Sequence, residues 1–539
     1  MAIDSVLQQY LSSDKTLQLT QKLNSDTVCH AYLQGLIGSS ASFVASAISK
    51  SIPQTHLFIL NEKEEAAYFL NDLENITGGK KIFFLPASYR KAYDPELTDN
   101  ANISLRAEVL NAISAKSNTL IVTYPEALNE KVVTKTHLKK NTLALQVGEK
   151  ISIDFITQVL VTYHFNRVDY VAEPGEFSVR GGIVDIFSFA NENPYRVEFS
   201  GDNVDSIRTF DAATQLSVQT VSYCSIIPNL QINIDKENRQ TFFEFIPENT
   251  IVWLKDTVFT VDRIQDALDV ANKIYEQKKS LIEQLPPEEI YCSKELFLEQ
   301  LSQFKTIEFG GKPYFNSDME MQYNIAPQFP FNKNFNLLLD HLKSNIAKGI
   351  TNFIFSDNQK QLERLHKIFE DVSGTNTLFF QEGNSGTLYE GFADNDLKIA
   401  CYTDHQIFNR HARFRLKSGF KKTSEAITLK ELKGLHPGDF VTHIDHGVGR
   451  FAGLEKMDVN GKQQEVIRIM YKDNDLLYVS IHSLHRIAKY SGKEGAEPKI
   501  NKLGSNSWSV LKQKTKKKVK EIAFDLIQLY AKRKAQKGN

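Results

Sequence analysis

Apolar and polar positions recur with two different periods along this chain, and each change of period marks a change of architecture. Up to about residue 125, short apolar runs stand between amphipathic stretches. Residues 55–60 (THLFIL), 81–85 (KIFFL) and 119–123 (TLIVT) are apolar enough for strands buried on both faces. Residues 62–73 and 105–113 carry helical spacing, the first opened by Asn61 as a cap. Strands spaced by helices predict a parallel sheet in an α/β domain. From 175 to 215 the pattern shifts to short strands that turn back on one another. Phe177 and Val179, then Ile183, Val184, Ile186 and Phe187, are interrupted by Gly181-Gly182. Residues 191–194 form the next turn, and Tyr195-Arg196-Val197-Glu198-Phe199 alternates as a half-buried strand should.

The α/β pattern resumes over 219–328, so the segment 126–218 reads as an insertion between two halves of one domain. In the second half, 242–245 and 250–254 are expected as strands and 260–282 as a long helix ended by Pro286-Pro287. A smaller α/β unit covers 329–428: strand 352–356, Asp357 as cap, helix 359–369, then apolar runs at 378–380 and 397–402. Over 429–500 several short strands imply a small open barrel with an edge left for strand addition. Asn460-Gly461 is a hairpin turn cue. The arm after it sets Glu465, Ile467, Ile469 and Tyr471 on one face and Val466, Arg468 and Met470 on the other. In 501–539, Val519, Ile522, Leu526 and Leu529 repeat at helical spacing with lysines on the remaining faces, which predicts a basic linker helix.

Composition narrows the class. A chain of 539 residues is too long for one core, and 41% hydrophobic with 24% charged residues is ordinary for a globular protein. The net charge of −1 hides an asymmetry. Residues 501–539 hold ten Lys and one Arg against Glu521 and Asp525, which leaves the rest mildly acidic. The body is therefore no nucleic-acid groove, and only the tail offers a weak basic patch for DNA. Cys29, Cys224, Cys292 and Cys401 are scattered without C-x-x-C spacing, which argues against a disulfide framework or zinc ribbon and fits a reducing cytoplasm. The start, MAIDSVLQQYLSSD, is not a signal peptide, and no run reaches the length of a membrane span.

Candidate chemistry is sparse. The turn Gly35-Leu-Ile-Gly38-Ser-Ser-Ala41-Ser42 lies where a phosphate loop would, but G-x-x-x-x-G-K-[ST] aligned on Gly35 puts Ser40 at the second glycine and Ala41 at the lysine. Without that charge the loop is expected to be non-functional, a small-residue helix start packed on the sheet. His443, Asp445 and His446 invite a metal reading, but strand-like spacing would keep the two rings from converging. Gly447 and Gly449 suit a tight bend between packed strands. Arg180 and Arg196 on the 175–215 sheet suit gripping another protein better than catalysis.

Two segments carry a family resemblance. GEFSVRGGIVDIFSFANENPYRVEFSGDNVDSIRTFDAATQ (175–215) resembles the second domain of the UvrB-like module found in bacterial transcription-repair coupling factors and in the excision-repair protein UvrB. GDFVTHIDHGVGRFAGLEK and EVIRIMYKDNDLLYVSIHSLHRIAKY resemble the CarD-like, Tudor-type domain of the same coupling factors. The family keeps the UvrB fold with a lost ATP loop, and FLPASYRKAYDPELTDNANISLRAEV (84–109) is similar to it and lacks UvrB's long DNA-wedging hairpin.

The resemblance implies a multidomain α/β chain: a UvrB-like degenerate P-loop α/β domain (1–125 and 219–328) with an inserted α+β UvrA-binding-type domain, then a small α/β domain. A Tudor/CarD-like β-barrel and a C-terminal linker helix follow. It assigns UvrA contact to Arg180, Arg196 and Phe199, with Ser200 standing where the family has an aromatic. Contact with the RNA polymerase β subunit falls to an aliphatic position on the central barrel strand, Ile467 or Ile469, beside Arg468; the residues alone leave barrel core as an equal reading for both isoleucines. No motor motif precedes Asn539, which matches the amino-terminal portion of a coupling factor without its translocase. The chain is then expected to be no enzyme, with ATP and Mg confined to the motor of an intact member. A CarD-type transcription regulator without UvrA recruitment is the other reading, and a residual UvrB-type ATPase is opposed by Ala41.

Overall fold

A computed structural model of the chain describes residues 2–25, 27–88, 100–115, 118–191, 193–212, 215–228, 239–278, 285–373, 378–383, 386–408, 435–443, 445–459, 462–480, 487–490, 498, 500–503 and 508, in two units divided near residue 420. The first unit is organised by a seven-stranded sheet in the order Met319–Gln322, His30–Gln34, Lys305–Phe309, Ile251–Leu254, His56–Ile59, Leu120–Thr123, Phe83–Leu85. All these pairings are parallel. Ile251–Leu254 and Lys305–Phe309 enter between strands that precede the insertion, so the two halves build one domain.

The strands Ile251–Leu254, His56–Ile59 and Leu120–Thr123 are buried at every position because helices cover both faces. One face, with Leu57, Ile59, Ile121 and Leu254, shares its core with the helix Asn100–Ala115 and with Phe177, Val184 and Val197 of the insertion. The opposite face, with Phe58, Val122 and Trp253, shares a core with the helices Ser40–Ser51 and Lys63–Ile76 and with Phe353, Phe355 and Phe392 of the small α/β domain. Inserted and following domains thus hang on opposite faces of one sheet.

The insertion contains a six-stranded sheet in the order Ser217–Val221, Asn203–Phe210, Tyr195–Ser200, Ile183–Ile186, Glu176–Arg180, Asn166–Arg167. Tyr223–Ile226 then pairs with Leu143–Gln146. The sheet therefore runs past the expected boundary at 218. The small domain has a five-stranded sheet, Ile325–Pro327, Phe392–Asp394, Ile399–Thr403, Thr351–Phe355, Gln381–Gly383. Its first strand lies upstream of the expected start at 329, as an edge strand where Pro327 costs no ladder bond.

Four local expectations are corrected. Phe242–Phe245 is a helical turn, not a strand, because Thr241 and Glu244 form a capping box. The cap of Lys63–Ile76 is Glu62; the Asn61 amide instead donates to Glu65 Oε2 at 3.2 Å. Asn358 takes the capping bond from Lys360 at 3.1 Å, while Asp357 accepts from Thr387 N–H at 2.9 Å. The strand expected at 378–380 begins at Gln381.

The second unit is an antiparallel five-stranded sheet in the order Leu476–Ser480, Lys462–Met470, Gly447–Val459, Phe440–His443, Ile487–Lys489. Val459 pairs with Lys462 across 460–461, the expected hairpin turn, which lies outside the described residues. The expected linker helix over 508–537 also falls outside them, apart from Trp508.

His56, the first residue of its strand, is fully buried: its Nε2 donates to Ile52 O at 2.9 Å and its Nδ1 accepts from Trp253 Nε1–H at 3.1 Å. Burial lowers its pKa to about 4, partly offset by the Ile52 bond. A histidine depressed on folding lends stability above its unfolded value near 6.5 and loses it as pH falls towards 4. Acid unfolding of the wild type should therefore steepen in that window, and His56→Gln, which keeps a donor and an acceptor, should flatten it in pH-dependent thermal melts.

Candidate functional site

The turn after His30–Gln34, where a phosphate loop is expected in degenerate form, is packed closely against other parts of the chain. Gly35 and Gly38 adopt positive φ of 85° and 57°, and the helix Ser40–Ser51 begins directly after. A Cβ on Gly38 would lie 3.1 Å from Glu390 O and Gly391 O, and one on Gly35 would lie 2.3 Å from Tyr323 O. Ser39 N–H donates to Glu390 O at 3.0 Å, and Ser39 Oγ accepts the Glu390 N–H at 3.0 Å. Ser42 Oγ turns to Asp72 at 3.3 Å, and Ala41 packs against the apolar core. The small-residue helix start read from the sequence is the arrangement found.

On the inserted sheet, one face is apolar and continuous with the core, and the other carries charge. Antiparallel register sets Ser178, Asp185, Arg196 and Arg208 in one cross-strand row and Arg180, Ile183, Glu198 and Ser206 in the next. Asp185 is fully buried and holds both arginines. Arg196 grips it with Nε and Nη2 at 2.8 and 2.9 Å, and Arg180 donates to Oδ2. Each guanidinium also covers a ring, Arg180 over Tyr170 at 4.7 Å and Arg196 over Phe210 at 4.4 Å. Hydrogen bonding to Asp185 raises the Arg196 pKa further. Arg180 keeps 34% of its side chain exposed and Arg196 only 16%, so Arg180 is the accessible member. Phe199 is half-buried after a bulge at Glu198/Phe199, and Ser200 is exposed where the hairpin turns through Gly201 at φ 63°. The edge strand Ser217–Val221 is exposed along nearly its whole length, with Leu216 and Val218 prominent.

In the second unit the assignment of Ile467 or Ile469 to a surface contact is corrected. Both are wholly buried, packed with Val441, Phe451, Tyr471 and Val479. Gly449 lies close against Ile469 and Tyr471, which a Cβ would displace. Arg468 points the other way, donating to Glu455 at 3.1 Å and Ala452 O at 2.9 Å, opposite exposed Tyr478 on the edge strand that also carries exposed Leu476. Among the described residues that strand is paired on one side only. Contrary to the expectation from strand-like spacing, the His443 and His446 rings converge and stack 4.8 Å apart; no group of three or more His, Cys, Asp or Glu suited to a metal occurs among the described residues. All four cysteines are buried thiols; burial pushes Cys224 and Cys292 up to about 12, the reverse of nucleophile activation.

The described residues thus combine a parallel α/β host, an inserted sheet with an arginine face and a separate small antiparallel β unit. Residues 143–231 match the family model of the UvrB interaction domain, and 435–491 match the CarD-like/TRCF RID domain. Across nearly its whole length the chain is similar to transcription-repair-coupling factors: 26% identical to that of Bacillus subtilis over 94% of this chain, 28% to that of Rickettsia conorii over 91%, and 23% to that of Myxococcus xanthus over 94%. It spans about half the length of these relatives, 49%, 48% and 49% respectively. The resemblance read from the two sequence segments is borne out.

Asp185 escaped the sequence reading although a carboxylate inside Ile-Val-Asp-Ile was a signal. Removing it strands two guanidiniums. Asp185→Ala should destabilise the inserted domain by about 3 kcal/mol and Arg180→Ala by well under half of that, measured by denaturant unfolding.

Proposed function

We propose that this chain is an adaptor in transcription-coupled DNA repair, recruiting UvrA through the inserted sheet and engaging the RNA polymerase β subunit through the CarD-like unit. The observation that carries this reading is the pairing, on one chain, of the UvrB interaction domain and the CarD-like/TRCF RID domain. Arg180 is the first contact on the UvrA side, its guanidinium set by Asp185 and Tyr170 and partly open to an acidic partner. Arg196 supports it from below, Phe199 backs the hairpin, and Ser200 leaves its tip small and polar. On the polymerase side, Ile467 and Ile469 support the sheet from inside, and Arg468, Leu476 and Tyr478 form the outward surface. The exposed edge strand suits strand addition by a partner sheet.

This reading gives these residues no chemistry of their own. ATP, Mg and translocation along DNA belong to the motor expected of a longer relative, and the basic 501–539 stretch adds weak DNA affinity. A cytoplasmic location goes with such partners; among the described residues no helix is long and apolar enough to cross a membrane.

In paired pull-downs, Arg180→Glu should weaken UvrA binding about tenfold or more and leave polymerase β binding intact. Tyr478→Ala combined with Leu476→Glu should do the reverse. Ile469→Arg should unfold the second unit, visible as loss of its cooperative melt. Retention of UvrA binding by Arg180→Glu would refute the site.

A further inference from the structure

Besides the shared core and the bonds of Tyr10 to Asp394 and Lys15 to Asp396, the small α/β domain meets the first domain through a short strap, residues 386–391. Its backbone is held group by group. Asn75 Nδ2 donates to Thr387 O at 2.8 Å, Tyr389 N–H donates to Asp72 Oδ1 at 2.8 Å, and Gly391 N–H donates to Gln406 Oε1 at 2.7 Å. His405 Nε2 donates to Tyr389 O at 2.9 Å. The Tyr389 ring stacks on Tyr68 with centroids 3.8 Å apart, and Leu388 is wholly buried. Gly386 approaches so closely that a Cβ would lie 2.7 Å from Asn75 Cγ. The end of the strap lies on the loop: Glu390 O takes the Ser39 N–H, one residue ahead of the helix Ser40–Ser51.

A phosphate bound at such a loop would accept from backbone amides at this helix start. Here a peptide carbonyl accepts instead. We propose that residues 386–391 are an intramolecular ligand of the degenerate phosphate loop, a plug that takes the place of the nucleotide and locks the small α/β domain to the first. Loss of the lysine at Ala41 and gain of the plug are then two parts of one change. A neutral carbonyl needs no cation. The proposal is independent of the partner assignments above.

Asp72 makes the lock sensitive to pH. Burial pushes its carboxyl up to about 7, against bonds from Ser39, the Tyr389 amide and Ser42, and Glu390 pushes it higher. An acid raised on closure favours the closed state at low pH, and that advantage is lost as pH rises through about 7. The other ionisable groups around the strap include Glu64 and Tyr68 on the helix that carries Asp72, Tyr389 and Glu390 on the strap itself, His405 beneath it and Asp357 at its start.

Hydrogen exchange on the full chain tests this. In the wild type the amides of Ser39, Tyr389, Glu390 and Gly391 should be protected together, and millimolar ATP with Mg or inorganic phosphate should leave them unchanged. Tyr389→Ala, and separately Gly38→Ala acting from the loop side, should raise exchange at Ser39 and Glu390 together by about tenfold while Val252 and Trp253 stay protected. Between pH 5.5 and 8, protection factors at Tyr389 should fall in the wild type and stay level in Asp72→Asn. Protection of the loop by ATP in the wild type, release of the strap without loosening of Ser39, or an Asp72→Asn variant with the wild-type pH profile would each overturn the proposal.

Discussion

Backbone amides and carbonyls that leave water must be paired, and the first unit depends on how that demand is met where strands end and helices begin. The seven-stranded sheet satisfies its own backbone, but its C-terminal turns do not. At Gly35–Ser39 the missing partner is another stretch of the same chain. A nucleotide-binding relative of such a fold would leave this position to its ligand. Here the fold closes on itself, and Glu390 supplies the acceptor.

The same principle, applied to charge, accounts for the inserted sheet. A buried carboxylate is costly unless it is paired and hydrogen-bonded. Asp185 meets the condition through two arginines, and those arginines then have little conformational freedom left. The surface they offer is preset by the interior. In the second unit the division is cleaner: apolar Ile467 and Ile469 face inward, and the outward side of the same strands is left to Arg468 and Tyr478.

Sequence patterning disclosed the parallel sheet, the insertion and the hairpins of 175–215, because their runs of apolar residues are long or strictly alternating. It failed where one or two polar atoms decide. Phe242–Phe245 is apolar enough for a strand, yet the Thr241–Glu244 capping box makes it helical. Arg180 and Arg196 were legible as a pair, but the aspartate that binds them was not, since register across three strands is needed to bring Asp185 beneath both. Ile467 and Ile469 could be placed on one face, but which face looked inward required the whole sheet. The strap at 386–391 has no periodicity, and its partners on the first domain lie more than 300 positions away.

The strand order of the host sheet sets a timetable for synthesis. Chains emerge from the ribosome amino end first and fold domain by domain. The strands His30–Gln34 and His56–Ile59 are separated in the sheet by Lys305–Phe309 and Ile251–Leu254, which are made much later. The inserted domain, complete once Tyr223–Ile226 has emerged, can therefore finish before the domain that surrounds it. During that interval the apolar edges of the early strands stand open, and a nascent chain stalled between residues 230 and 300 is where chaperone capture of this protein should concentrate.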